Sequence, residues 1–244
     1  MTLTKYLSTL IVLAILGACS TAPAGNAVND PYEATNRQVH AFNKALDNAV
    51  FAGGDDDAAP LLHPDISGAV INFADNAGGP GMVLNGLLQG NVASAATNTF
   101  RFVLNTTVGV FGIFDPADAI GLPEVETDFA QTLAIWGVQE GAYLELPVLG
   151  PSTERDLAGR IVDSIIDPLD QFGAPVQQDY GTIARFAGRA LKRDQFGDTI
   201  DSVLYDSADS YAQTRLIYLQ NRRFELGVEA AEDVDPYDDL FGDQ

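Results

Sequence analysis

Bond chemistry needs a nucleophile, a base or a metal held in place, and few side chains of this chain qualify. It has one cysteine, Cys19, and two histidines, His40 and His63. The histidines form neither an H-x-x-x-H nor an H-E-x-x-H pattern. No G-x-S-x-G elbow and no Walker loop occurs. Glu124, Glu126 and Asp128 alternate along one segment and carry the charge a cation would want, but that spacing reads more simply as a solvated loop. His40 falls in a helical pattern near Phe42, where a packed or surface histidine is the ordinary reading. No enzyme, no metal and no diffusible cofactor are expected.

Cys19 is the reactive group that needs an explanation, because a lone cysteine cannot staple a fold. It follows Leu16-Gly17-Ala18 at the end of a short apolar run that begins after Lys5. A positive start, an apolar stretch and small residues before a cut describe a secretory signal. The run is well short of the roughly 20 residues of a spanning helix. Leu16-Gly17-Ala18-Cys19 resembles the lipobox of bacterial lipoproteins, which implies cleavage before Cys19 and acyl chains on it. Several chains anchor a protein far more firmly than one. Ser20, rather than an aspartate, follows the cysteine, which by the sorting rule of such lipoproteins implies the outer membrane.

Composition narrows the field further. Net charge is −21, from 13 basic and 34 acidic residues. Such a surface repels phosphate backbones, so nucleic-acid binding is excluded. Charged residues make up 19 % of the chain, below the roughly 25 % of ordinary soluble domains. With 46 % hydrophobic residues, part of the surface is expected to face something other than water.

The elements come next. Residues 1–18 read as the signal peptide and 19–29 as the acylated cysteine and a polar tether. Residues 30–227 read as a helical domain, and 228–244 as a disordered tail with seven acidic residues and no basic one. Asp30, Pro31 and Glu33 resemble a helix start, followed by an apolar stripe at Val39, Phe42, Leu46 and Val50. A break is expected in the loop at Gly53-Gly54-Asp55-Asp56-Asp57. Ile66, Val70 and Phe73 mark a second helix, closed by Gly78-Gly79-Pro80, with a short helix from Met82 to Gln89. Asn91 is placed to cap a helix bearing Val92, Ala96, Phe100 and Val103. Asp115-Pro116 and Asp128 are further helix starts, and Gly137 is placed just past a helix end. Tyr143-Leu144-Glu145-Leu146, bracketed by prolines, is at most an edge strand. Leu157, Ile161 and Ile165 stripe a helix that ends before Asp167-Pro168. Ile183, Phe186, Ala190 and Leu191 stripe another. A last and longest helix, capped by Asp198, is expected to carry Ile200, Leu204, Tyr211 and Tyr218. The fold class is therefore all-α, in many short amphipathic pieces. These suit an irregular bundle, or helices lying flat with one apolar face among acyl chains.

Several strings together resemble one family, the MlaA or VacJ outer-membrane lipoproteins. They are Asp30-Pro31-Tyr32-Glu33 with Asn36-Arg37, then Phe42-Asn43 with Leu46-Asp47. Next come Asn85 with Leu88-Gln89-Gly90, and Arg101-Phe102 with Asn105-Thr106-Thr107-Val108-Gly109. Asp128-Phe129 with Gln131-Thr132-Leu133, Trp136-Gly137-Val138, Gly141, Tyr143, Leu146-Pro147, Gly150-Pro151-Ser152 and Arg155-Asp156 follow. Leu219-Gln220-Asn221-Arg222-Arg223 closes the series. They run in the family's order from about residue 30 to 225. The chain departs from the family in the short segment Gly53 to Ala59 and at Gln139 and Ala142.

The resemblance implies a ring-like assembly of short amphipathic helices seated in the inner leaflet of the outer membrane. A central amphipathic passage there lets mislocalised phospholipid leave the outer leaflet. It also implies partners: phospholipid, an outer-membrane porin trimer and a soluble periplasmic lipid carrier that returns lipid to the inner membrane. Asn36, Arg37, Phe42, Asn43 and Asn105 are candidates for lining or bracing the passage. Val108, Gly109, Val110, Phe111, Gly112, Ile113 and Phe114 are candidates for touching lipid or shaping the passage, against the plainer reading of a buried loop. Trp136 and Tyr143 read as core residues or interfacial anchors, and Arg155-Asp156 as a helix-start charge pair. The rival function is a structural lipoprotein that scaffolds a porin or envelope complex without moving lipid.

Overall fold

The computed structural model describes residues 28–51, 60–169 and 175–227, without the side chains of 175–182. The expected leader, Cys19, most of the tether, the loop at 53–59 and the acidic tail lie outside the described residues. The described chain is helical apart from one two-stranded sheet.

Helix α1 (Glu33–Phe51) begins where the Tyr32 carbonyl accepts from the N–H groups of Thr35 and Asn36, both at 2.9 Å. Asp30 is not its cap, contrary to expectation. The Asp30 carboxylate accepts instead from Asn36 and, on α9 (Ser210–Glu225), from Tyr211 and Arg215. A long-range cation outcompetes the local N–H groups for it.

Helix α2 (Pro64–Leu88) starts at His63, whose ring nitrogen accepts from the Asp65 N–H, with Pro64 in the first turn. The break expected at Gly78-Gly79-Pro80 does not occur, and the segment expected from Met82 is the same helix, 25 residues long. Proline costs a helix one hydrogen bond and a ring clash, but small residues here let neighbours approach and hold the helix together. A Cβ on Gly79 would meet the Phe102 ring at 3.3 Å, and one on Gly86 would meet the Ala95 backbone nitrogen at 3.0 Å. Both neighbours lie on α3 (Val92–Thr107), which Asn91 caps as expected by accepting from the Ser94 N–H.

Asp115 and Asp128 cap α4 (Pro116–Ala119) and α5 (Phe129–Ile135), accepting from Asp118 and Gln131. Gly137 follows α5 with φ +89°. The expected strand is β1 (Tyr143–Leu146), paired antiparallel with β2 (Gly150–Thr153) from Tyr143↔Thr153 to Leu146↔Gly150. Thr153 caps α6 (Glu154–Ile166), which ends before Asp167-Pro168. Helix α7 (Pro175–Gln195) follows; Gly188 brings it so close to α2 that a Cβ would sit 2.8 Å from Ala74.

The long terminal helix expected from Asp198 is two helices, α8 (Gly197–Leu204) and α9. Asp198 lies inside the first turn of α8, and Asp209 caps α9 by accepting from the Ala212 N–H. The periodic pattern continues across the interruption because both helices present an apolar face, so periodicity alone does not reveal the break.

The helices are turned inside out relative to a water-soluble bundle. On α1, Asn36, His40, Asn43 and Asp47 form an i, i+4, i+7, i+11 stripe that is buried or half-buried, while Phe42, Leu46 and Val50 are exposed. On α3 the inward stripe is Ser94, Asn98, Arg101 and Asn105, with Val92, Phe100 and Val103 outside. On α6 it is Asp156, Arg160 and Asp163, continued by Asp167 just past the helix end, with Ile161 and Ile165 outside. Ile183 and Phe186 are exposed on α7. A lone exposed apolar residue needs no explanation, but faces of them on several helices do. Among the described residues, no helix is long and apolar enough to cross a membrane.

Candidate functional site

The inward stripes hold irregular backbone. Asn36 donates to the Tyr143 carbonyl at 3.1 Å and accepts from the Glu145 N–H at 3.0 Å. One heptad later, Asn43 donates to the Leu146 carbonyl at 2.9 Å and accepts from the Val148 N–H at 2.8 Å. On α3, Asn98 bonds both backbone groups of Val125, at 2.8 and 3.2 Å. Arg101 donates to the Leu122 carbonyl and to Asp115. Asn105 donates to Asp115 at 2.9 Å and accepts from the Ala117 N–H at 3.1 Å. Burial pushes the Asp115 carboxyl up, but the Asp118 N–H, Asn105 and Arg101 outweigh it and hold the group below the usual range.

The candidate site residues thus fall into separate places. Asn36, Asn43 and Asn105 lie inside, each braced against loop or strand backbone. Phe42 lies on the opposite, exposed face of α1. Arg37 is half-exposed and pairs with Glu33 and Asp209, and the Arg37 guanidinium holds the Asp209 carboxyl down at about 2. His40, buried, meets Ser210 at 3.0 Å and lies edge-on to Tyr211. Tyr143 is a core residue, edge-on to Tyr211 and Tyr218. Trp136 is exposed, with its ring edge on Phe129. Asp156 pairs chiefly with α9, through Tyr218 and Arg222, rather than with Arg155.

The segment 108–114 is a turn, not a buried loop. Val110, Phe111 and Gly112 have φ of +53°, +60° and +89°, a left-handed run that costs non-glycine residues roughly 1–2 kcal/mol each. Gly109 and Gly112 point inward, while Val108, Val110, Phe111, Ile113 and Phe114 point out. A Cβ on Gly109 would fall 2.3 Å from the Phe114 carbonyl oxygen, and one on Gly112 2.5 Å from Asn76 Cβ. Two glycines therefore anchor the turn so that its greasy side chains face outward.

Among the described residues, two clefts are lined mostly by polar side chains. The larger, about 160 Å³, is lined by Asp128, Asp156, Arg160, Tyr218, Asn221, Arg222 and Glu225. Arg222 is bound there by Asp128, Asp156 and Glu225. The smaller, about 10 Å³, is lined by Asp75, Asn76, Asn98, Arg101, Asn105 and Glu124 against Gly79, Met82 and Phe102. Burial, and next the Asp75 charge, push the Glu124 carboxyl up to about 7. The described residues hold no group of three or more His, Cys, Asp or Glu side chains that could hold a metal ion; Glu124 lines the smaller cleft and Asp128 the larger.

Sequence reasoning singled out the apolar stripes and, of the polar ones, Asn36, Asn43 and Asn105, and missed other members such as Asn98 and Asp163. Their signal was present: the same i, i+4, i+7, i+11 spacing, read for polar residues.

Outward apolar faces around buried polar stripes define a helical protein with an apolar exterior and a polar interior. The MlaA lipoprotein family model matches residues 28–225, and the chain belongs to that family. An uncharacterised protein of Rickettsia prowazekii is 37 % identical over 143 residues, 58 % of this chain. That match spans only 57 % of the rickettsial protein's length. The intermembrane phospholipid transport system lipoprotein MlaA of Escherichia coli is 30 % identical over 214 residues, 86 % of this chain and 83 % of its own. A solved structure concerned with the structural basis for maintenance of bacterial outer membrane lipid asymmetry is similar with a TM-score of 0.66 at 27 % identity. The similarity covers 81 % of this chain and 98 % of that one.

Proposed function

We propose that this protein is an outer-membrane lipoprotein that removes mislocalised phospholipid from the outer leaflet. It passes the lipid to a soluble periplasmic carrier for return to the inner membrane, and so maintains lipid asymmetry. The observation that carries this reading is the inversion of α1, α3 and α6. A phospholipid has a polar head and apolar tails, and drawing an unpaired charged head through hydrocarbon costs several kcal/mol or more. Helices that are apolar outside and polar inside solvate both parts. The names of the relatives support the same function.

In this reading acyl chains on Cys19 anchor the protein to the inner leaflet, facing the periplasm. The ring is seated among acyl tails through its exposed apolar faces and the turn at 108–114. Asn36, Asn43 and Asn105 position the backbone around the polar interior. A porin trimer is the expected neighbour in the membrane, and no bond is made or broken in the lipid. Direction and energy come from elsewhere in the transport system.

The test is a deletion strain. Phospholipid should accumulate in the outer leaflet, with sensitivity to detergent plus chelator, and the gene supplied in trans should reverse both. An unchanged outer leaflet would favour the scaffold reading, in which the protein organises a porin or envelope complex without moving lipid.

A further inference from the structure

The larger polar cleft holds charge that its own residues do not settle. It lies where the start of α5 meets α6 and α9. Asp128 caps α5, Asp156 and Arg160 stand one turn apart on α6, and Arg222 and Glu225 come from α9. Asp156 is answered on several sides: Arg222 donates to it at 3.2 Å, Tyr218 donates its hydroxyl, and Arg155 Nε lies 4.0 Å away. Asp128 and Glu225 are not so well served. Among the described residues, each has Arg222 as its one ion-pair partner, at 2.6 and 2.9 Å, and their side chains are 42 % and 32 % exposed. One guanidinium shared by three carboxylates leaves negative charge over. Asp163, also on α6, pairs with no cation among the described residues. Burial, and then the charges of Asp128 and Asp167, push its carboxyl up, although the Phe129 N–H and Asn85 bond it.

Arg160 is the counterpart. It lines the same cleft and has no carboxylate partner among the described residues. Its one described hydrogen bond runs to the Pro151 carbonyl at 3.2 Å. A guanidinium carries five N–H donors, so most of this fork is unused. A carboxylate has about four acceptor positions, and Glu225 spends one on Asn221 at 2.7 Å and one on Arg222 at 2.9 Å. The cleft thus offers donors from α6 and spare acceptors from α5 and α9. A ligand that answers both carries an anion and a cation in one small group. Room is adequate: a cavity of about 150 Å³ takes a benzene ring, and this one is about 160 Å³. Apolar surface flanks the cleft on both long helices. Exposed Ile161 follows Arg160 on α6, and exposed Ile217 and Phe224 precede Tyr218 and Glu225 on α9.

We propose that this cleft receives the head of a glycerophospholipid that ends in a primary ammonium, with the phosphodiester at Arg160 and the ammonium at Glu225 and Asp128. This rests on the transport reading above and names the head that is taken. The planar guanidinium fork suits a phosphodiester, to which it donates two parallel N–H bonds. An ammonium brings three N–H donors and the positive charge that the two carboxylates lack. A phosphoglycerol head brings the anion without the cation, and the two carboxylates repel it.

The test uses the full-length acylated protein in neutral detergent, with three probes: dihexanoyl phosphatidylethanolamine, dihexanoyl phosphatidylglycerol and glycerophosphoethanolamine. The wild type should bind the ethanolamine lipid roughly five- to tenfold more tightly than the glycerol lipid. Asp128→Asn with Glu225→Gln keeps the helix cap and the hydrogen-bond acceptors while removing two charges. It should abolish the preference, weakening the first lipid and strengthening the second. Arg160→Gln should weaken both lipids alike and keep their ratio, and circular dichroism checks that each variant is folded. Equal binding of the two lipids by the wild type, or a preference that survives the double variant, would overturn the head site and leave the transport reading standing. Glycerophosphoethanolamine binding as tightly as the lipid would overturn the lipid assignment and make the ligand a soluble amine phosphate. A wild type that binds neither lipid would sink the transport reading along with the site.

Discussion

Asn36 meets Tyr143 as a neighbouring strand would: its amide donates to the Tyr143 carbonyl and its oxygen accepts from the N–H two residues on, at Glu145. Asn43 repeats the geometry on Leu146 and Val148, and the Asn29 carbonyl accepts from the Tyr143 N–H at 2.8 Å. An open strand edge is a template for unwanted pairing. Here a helix closes it with side-chain amides spaced one heptad apart, which locks α1 to the hairpin in a single register.

Asn36→Ala should therefore cost more than an average surface change. It strands the Tyr143 carbonyl and the Glu145 N–H at a site where Asn36 is 3 % exposed. Leaving buried groups unpaired costs about 1–3 kcal/mol each, so urea unfolding should show a loss of roughly 2–4 kcal/mol. Asn43→Ala, at a more open position, should lose about 1–2 kcal/mol and speed hydrogen exchange at Val148. A loss below about 0.5 kcal/mol for Asn36→Ala would mean that the hairpin edge finds other partners.

Gly109 and Gly121 separate steric need from conformational need. Gly109→Ala would drive a methyl group into the Phe114 and Asn105 carbonyl oxygens, at 2.3 and 2.5 Å. Gly121 has φ +77° with open space around it. Gly121→Ala should cost about 1–2 kcal/mol, and Gly109→Ala more than about 3 kcal/mol, by thermal or urea unfolding. Equal costs would contradict the packed turn.

Glu124 predicts a pH dependence of definite sign. Its folded pKa, about 7, lies above its ordinary value of 4.5, so the folded protein holds the proton more tightly than the unfolded chain. Stability from this group is full below pH 4.5, declines as pH rises toward 7, and is lost above it. Glu124→Gln should flatten that decline. At pH 8 the variant should be more stable than the wild type by about 1–2 kcal/mol, allowing for partial solvent screening. A variant that keeps the wild-type slope between pH 4.5 and 7 would show that another group carries it.

Local signals were readable in the sequence because their chemistry is local. The caps Asn91, Asp115 and Asp128, the glycine after α5 and the strand at Tyr143 each follow from a side chain acting on backbone a few residues away. Asp30 was misread because its partners, Tyr211 and Arg215, lie on α9, far along the chain. Gly78-Gly79-Pro80 was misread because the packing of Phe102 and Ala95 keeps α2 whole. The direction of the apolar stripes was open for a deeper reason. A period near 3.6 marks a face that avoids water, and it is the same whether that face meets a protein core or acyl chains. Only the buried fate of Asn36, Asn98 and Asp156 separates the two.

That distinction makes the turn at 108–114 the sharpest place to test the membrane seating. Phe111 and Phe114 are 65 % and 62 % exposed, so Phe111→Ser with Phe114→Ser should change urea stability in detergent-free buffer by less than about 0.5 kcal/mol. Each phenylalanine that enters acyl chains is worth roughly 1.5–3 kcal/mol. In a Cys19→Ser background, where no lipid anchor masks the effect, the double variant should bind phospholipid vesicles at least tenfold more weakly, by about 1.4 kcal/mol or more. If vesicle binding is unchanged while folding stability drops, the two rings are packed against protein. The outward face of the turn would then have no part in holding the molecule at the leaflet.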